Sequence, residues 1–197
     1  ILQQSPILSA YSSDSLSTIP QSSLWSSDPI VGLGDAFDAT FIKPSSSTDP
    51  IHFIASTFSG TSSTGLTPRG DVDILLSAIS HDGSLLWESS LGNSSSEKNP
   101  RIAANPNLDS VFIGGTLQGS LGLNLPGGGD DIALASYSSN GSQRWQRVLA
   151  LPGNQVLTDL YALDDGSVLL LGLTSGSPEG AYGQELAGDG TDVDSFI

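Results

Sequence analysis

The sequence predicts an all-β fold that is built from a repeated unit of about 58 residues. Segments 71–92 and 130–150 carry the same parts in the same order: an acidic start, an apolar strand, a turn, and a second strand with tryptophan. Equivalent residues keep a fixed offset, as Asp73 and Asp131 show (131 − 73 = 58). The turns and the tryptophans keep the same offset. Self-similarity of this length indicates a repeat architecture.

The other half of the unit also recurs, as an apolar strand that ends near a threonine. These strands are predicted over 51–58, 111–117 and 168–175. Their threonines are Thr57, Thr116 and Thr174. A weaker strand is predicted before each of them, over 36–42, 101–104 and 156–163. Glycine, asparagine and aspartate separate the strands, as is typical of turns.

Each period therefore holds four short strands rich in valine, isoleucine, leucine and aromatic residues. No segment combines a 3.6-residue apolar period with caps, so the sequence predicts almost no helix. Four antiparallel strands in a unit of roughly 40–60 residues are typical of a β-propeller blade. The predicted fold is thus all-β, with β-propeller-like blades; a β-solenoid is the alternative.

The repeats divide one continuous domain into four parts. These are a partial N-terminal repeat at 1–35, a first blade at 36–92, a second blade at 93–150 and a partial third blade at 151–197. The array is incomplete at both ends, whereas a closed propeller needs about four to eight blades. We expect the chain to be a fragment, or to be completed by other copies.

Composition excludes several classes of function. The net charge of −15, from 21 acidic and 6 basic residues, repels phosphate backbones and predicts no nucleic-acid binding. No apolar run approaches the roughly 20 residues that cross a bilayer, so no membrane insertion is predicted. The chain has no cysteine, which rules out disulfides and thiolate metal sites.

The unit resembles the secreted β-propeller repeat (SBBP repeat) of bacteria. The matching segments are Asp73 to Gly92 followed by Val111 to Thr116, and Asp131 to Trp145 followed by Val168 to Thr174. This resemblance implies a secreted or cell-surface bacterial protein, often large and multidomain, with no shared catalytic residues.

All three tryptophans, Trp25, Trp87 and Trp145, occupy one repeat position. We interpret them as structural anchors that pack one blade against the next, because one large side chain buries much area. The alternative is a carbohydrate-binding face. The G-x-x-x-W strands that begin at Gly83 and Gly141 are also similar to the quinoprotein (PQQ) propeller repeat, which implies architecture alone.

Acidic residues recur before the third strand of each unit and suggest a calcium site. The candidate ligands are Asp130, Asp131, Asp189, Asp192 and Asp194. Carboxylates at equivalent positions of successive blades would converge around an axis, and Ca²⁺ takes about six to eight oxygen ligands. The alternative is that each aspartate caps a turn or blunts an exposed strand edge.

The sequence predicts no enzyme. His52 and His81 lie in different parts of the unit, and no G-x-S-x-G elbow is present. A Ser/His/Asp site would need defined geometry that no motif marks. No pair of carboxylates stands out for glycoside hydrolysis.

The predicted function is a structural or adhesive module that displays variable loops at 93–100, 118–129 and 175–190. Its expected partners are other copies or flanking blades of the same protein, and a surface polysaccharide. The alternatives are a calcium- or carbohydrate-binding module and an accessory propeller domain of a secreted hydrolase.

Overall fold

A computed structural model describes residues 36–44, 49–119, 129–151, 153–175 and 194–196. These residues form β-strands and no helix, which confirms the all-β prediction. The strands are β1 Ala36–Ile42, β2 Ile51–Phe58, β3 Asp73–Ile79, β4 Leu85–Leu91, β5 Lys98–Asn105, β6 Ser110–Gln118, β7 Asp130–Tyr137, β8 Gln143–Leu149, β9 Gln155–Ala162, β10 Val168–Thr174 and β11 Asp194–Phe196. Within the described ranges, no helix is long and apolar enough to cross a membrane.

The strands form three antiparallel sheets in which neighbours in sequence pair with each other. Sheet 1 has the order β1-β2-β3-β4, sheet 2 has the order β5-β6-β7-β8, and sheet 3 has the order β11-β10-β9. Antiparallel neighbours of this kind can be joined by short hairpins. The predicted N-terminal copy, with Trp25, lies outside the described residues.

The turn between β3 and β4 shows how local chemistry sets these hairpins. Gly83 has φ 87°, a left-handed conformation that glycine adopts without steric cost. Asp82 Oδ1 accepts the Ser84 N–H at 3.0 Å, and the Ser80 N–H donates to the Ser84 carbonyl at 2.9 Å. Hydrogen bonds from Ser80 and Ser84 lower the pKa of Asp82. The turn at 138–142 repeats this pattern with asparagine as the acceptor.

Sheet 2 lies between the other two sheets and buries residues on both faces. Ala133 belongs to the hydrophobic cluster that contains Leu76 of sheet 1. The preceding residue, Ile132, belongs to the cluster that contains Leu157 of sheet 3. Successive side chains of a strand point to opposite faces, so a nearly continuous apolar strand suits a sheet covered on both sides.

Two adjacent glycines in β6 allow this close packing. A Cβ atom on Gly115 would overlap the Ile74 side chain of sheet 1. A Cβ atom on Gly114 would lie 3.0 Å from Leu157 Cδ2 of sheet 3, closer than most side chains tolerate. The Gly-Gly pair therefore lets neighbouring sheets approach both faces of the strand.

Candidate functional site

Trp87 of β4 lies at the joint between sheet 1 and sheet 2, which is the region where residues of the two sheets contact each other. Its ring lies 5.9 Å from that of Phe53 and is stacked at 6.1 Å on Tyr137 of sheet 2. Its indole N–H donates to the Ser139 carbonyl at 2.9 Å. A Cβ atom on Gly141 would lie 3.0 Å from the indole ring. These contacts support the interpretation of Trp87 as a packing anchor.

Trp145 of β8 contacts its own sheet in a comparable way. Its ring lies 6.0 Å from Phe112 with an interplanar angle of 43°, close to the 5.9 Å and 50° between Trp87 and Phe53. The side chain is half-buried. Trp25, the third predicted anchor, lies outside the described residues.

The five candidate calcium ligands have different surroundings. Asp131 of β7 is fully buried, and its neighbour Asp130 is half-buried. Asp194 begins β11, whereas Asp189 and Asp192 lie outside the described residues. In the described part of the chain, no three His, Cys, Asp or Glu side chains are grouped closely enough to hold a metal ion. The calcium site stays a prediction.

Asp73, which precedes Asp131 by 58 residues, is also fully buried. Its carboxylate accepts the Arg69 N–H at 3.1 Å on Oδ2 and the Gly70 N–H at 3.4 Å on Oδ1. Asp73 therefore caps the backbone turn that leads into β3, as an aspartate commonly does.

A second carboxyl group, that of Glu97, lies beside Asp73 and is only 1% exposed. A Cβ atom on Gly92 would lie 2.6 Å from Asp73 Oδ1 and 2.5 Å from Glu97 Oε2, so the two oxygens flank the same small space. Glu97 Oε1 accepts the Asn93 N–H at 3.4 Å, whereas the buried Oε2 receives no hydrogen bond from the residues that the structure describes.

Burial, and then the charge of Asp73, raise the pKa of Glu97 to about 8. The nearby Arg69 charge opposes this shift, and its guanidinium donates to the Gly92 carbonyl at 3.1 Å. With a pKa of about 8, the Glu97 carboxyl is mostly neutral at pH 7. A proton on Oε2 turns this oxygen from an acceptor without a partner among the described residues into a donor to Asp73.

An amide takes the place of this second carboxyl at the joint between sheets 2 and 3. Gln155 is fully buried and follows Asp131 by the same interval that separates Glu97 from Asp73. Its Oε1 accepts the Leu151 N–H at 3.4 Å, the distance at which Glu97 receives its own donor. The Gln155 amide also donates to Thr174 Oγ1 at 3.4 Å.

Our sequence reasoning missed Glu97 and Gln155 because neither lies in a recognised motif. The available signal was the spacing between each buried aspartate and the polar residue that follows it, since 97 − 73 and 155 − 131 both equal 24. A polar residue that recurs at a fixed distance from a repeated aspartate indicates a common structural position.

The side chain of Asp38 in β1 provides another link between sheets. Its Oδ2 accepts the N–H of Ile102 in β5 at 3.0 Å. We expect Asp38→Ala to lower the free energy of unfolding by about 1–3 kcal/mol, because a partly buried N–H loses its acceptor. Urea unfolding measures this loss. Asp164→Ala, in an exposed turn, is the control and should change the free energy by less than about 0.5 kcal/mol; equal effects of the two variants would contradict the prediction.

Comparisons with known proteins do not assign the chain to a family. No protein-family model matches it, and a search among curated proteins finds no match.

Proposed function

We propose that the chain is a non-catalytic structural module of a secreted or cell-surface bacterial protein, built from β-propeller blades that support adhesive loops. The observation that carries this proposal is that the same hydrogen bond recurs where each sheet meets the next. The Asn93–Glu97 hydrogen bond and the Leu151–Gln155 hydrogen bond have the same length and lie 58 residues apart. A stack of repeated units requires each unit to meet the next in the same way.

The outer face of sheet 3 supports a continuation of the stack. Tyr161, Leu171 and Leu173 are 64%, 38% and 37% exposed. In sheet 2, the face that carries Ile132 is covered by sheet 3. We expect a further blade, from flanking sequence or another copy, to cover the outer face of sheet 3 in the same way, because exposed apolar patches commonly mark interaction sites.

The native mass of the 197-residue chain tests whether copies meet through this face. We expect self-association in multi-angle light scattering, and its loss in the double variant Leu171→Ser/Leu173→Ser, because the variant removes apolar area from the contact. The matched control is Leu86→Ser/Leu108→Ser, which changes leucines that are 48% and 44% exposed elsewhere.

Three outcomes separate the alternatives. A wild-type monomer would contradict completion by other copies. Dissociation in EDTA would favour the calcium-binding alternative, because removal of a divalent cation would then break the assembly. Specific binding of a surface polysaccharide by the monomer would favour a carbohydrate-binding module. The accessory-domain alternative predicts a hydrolase domain in the flanking sequence.

A further inference from the structure

The carboxyl pair of Asp73 and Glu97 combines two unfavourable features if both groups are ionised. Both side chains are almost completely buried. A Cβ atom added to Gly92 would lie within 2.6 Å of an oxygen of each side chain, so the two oxygens are close to each other. Two neighbouring buried carboxylates repel each other, which favours protonation of one of them. A buried oxygen without a donor also costs free energy.

One proton between the two groups removes both costs. The oxygens of Asp73 already accept two backbone N–H groups, so they have donors without an added proton. Glu97 Oε2 has no donor in the described part of the chain, so it is the oxygen that gains most from carrying the proton. A neutral Glu97 then donates a charge-assisted hydrogen bond to the Asp73 carboxylate.

The charged and titratable groups around the pair come from both sheets. Arg69, on the loop before β3, places its guanidinium on the Gly92 carbonyl. The Arg69 charge also acts on Tyr137 of sheet 2, whose pKa is raised by burial. Arg69 balances one negative charge and not two, so ionisation of both carboxyls leaves an excess charge in the joint.

We propose that Asp73 and Glu97 share one proton, and that this proton makes the joint between sheets 1 and 2 less stable as the pH rises from mildly acidic to neutral values. An ordinary glutamate in the unfolded chain releases its proton near pH 4.3. The folded pair retains its proton to about pH 8. Between these values the folded state binds one more proton than the unfolded state, so stability is greatest at the acidic end and falls as pH rises.

The other joint provides an internal comparison. Gln155 has the equivalent position in the repeat, 24 residues after Asp131, and its amide has no proton to release in this range. The pH dependence is therefore confined to one of the two joints. Glu97→Gln should preserve the neutral shape and remove the titration, whereas Gln155→Glu should create a second titrating pair.

Urea unfolding from about pH 5.5 to about pH 9 tests the proposal on wild type, Glu97→Gln and Gln155→Glu. We expect the ratio of wild-type to Glu97→Gln unfolding constants to rise up to roughly tenfold per pH unit until about pH 8. Gln155→Glu should add a further rise. His52, whose pKa is lowered by burial and by His81, contributes the opposite slope in every variant and cancels in the ratio.

A carbon-13 NMR titration of glutamate carboxyls in the folded wild type keeps the test independent of any variant. We expect one carboxyl to titrate far above the ordinary range of about 4.3. A Glu97 carboxyl that titrates near that value, or a Glu97→Gln variant with the pH dependence of wild type, would overturn the proposal. A dependence that EDTA abolishes would assign it to a divalent cation and would also overturn the proposal.

Discussion

Replacement of Trp87 by alanine is expected to lower the free energy of unfolding by roughly 2–4 kcal/mol, because the half-buried indole loses less than the roughly 3–5 kcal/mol of a fully buried aromatic. The indole packs against Phe53 of sheet 1 and Tyr137 of sheet 2, and its loss removes the ring contacts that join the two sheets. Urea unfolding followed by circular dichroism measures the change.

The neighbouring residue is the matched control. Leu86 lies on the same strand and is 48% exposed, so Leu86→Ala should change the free energy by less than about 0.5 kcal/mol. The change in the free energy of unfolding for Trp87→Phe should lie between those for Trp87→Ala and Leu86→Ala. Phenylalanine keeps a ring but loses the hydrogen bond to Ser139, worth about 1 kcal/mol. Equal effects of Trp87→Ala and Leu86→Ala would show that Trp87 does not anchor the joint.

Gly92→Ala is the second substitution for which we expect a large effect, a loss of roughly 1–3 kcal/mol or more. The added methyl would overlap the Asp73 carboxyl and lie 2.5 Å from Glu97 Oε2. Both carboxyls are buried and cannot move freely into solvent, so the substitution should force the loop and the joint apart. The free energy of unfolding in urea is again the measurement.

Gly60→Ala is the control for this substitution. A Cβ atom on Gly60 would contact nothing within 4 Å, and its φ lies outside the left-handed region. The change should therefore be neutral or stabilising by a few tenths of a kcal/mol, because alanine restricts the unfolded chain. A Gly92→Ala variant as stable as Gly60→Ala would contradict the crowding inferred at the carboxyl pair.

Much of the secondary structure followed from local sequence. The bounds of β1 and β2 agree with the predicted segments 36–42 and 51–58. Strand β5 begins at Lys98 and not at 101, because pairing continues beyond a bulge in which Asn99 has φ 53°. Turn residues and apolar runs mark strand positions, but a positive φ within a strand leaves no clear local pattern.

The sequence was less informative about the site. The repeat identified Asp73 and Asp131 as equivalent, but it gave no sign of whether their side chains are exposed or buried. Both prove to be fully buried. Periodicity establishes that positions correspond, whereas burial depends on which sheet covers them. For the same reason the contact between Trp87 and Ser139, 52 residues apart, was not predictable from either segment alone.

The contacts at Glu97 and Gln155 have a consequence for how such a chain changes length during evolution. Each joint draws its residues from the end of one sheet and the beginning of the next, and corresponding residues lie 58 positions apart. Duplication of one such segment would therefore bring both halves of a joint with it. Subsequent exchange of glutamate for glutamine would alter the chemistry of one joint and leave its geometry, and the other joints, unchanged.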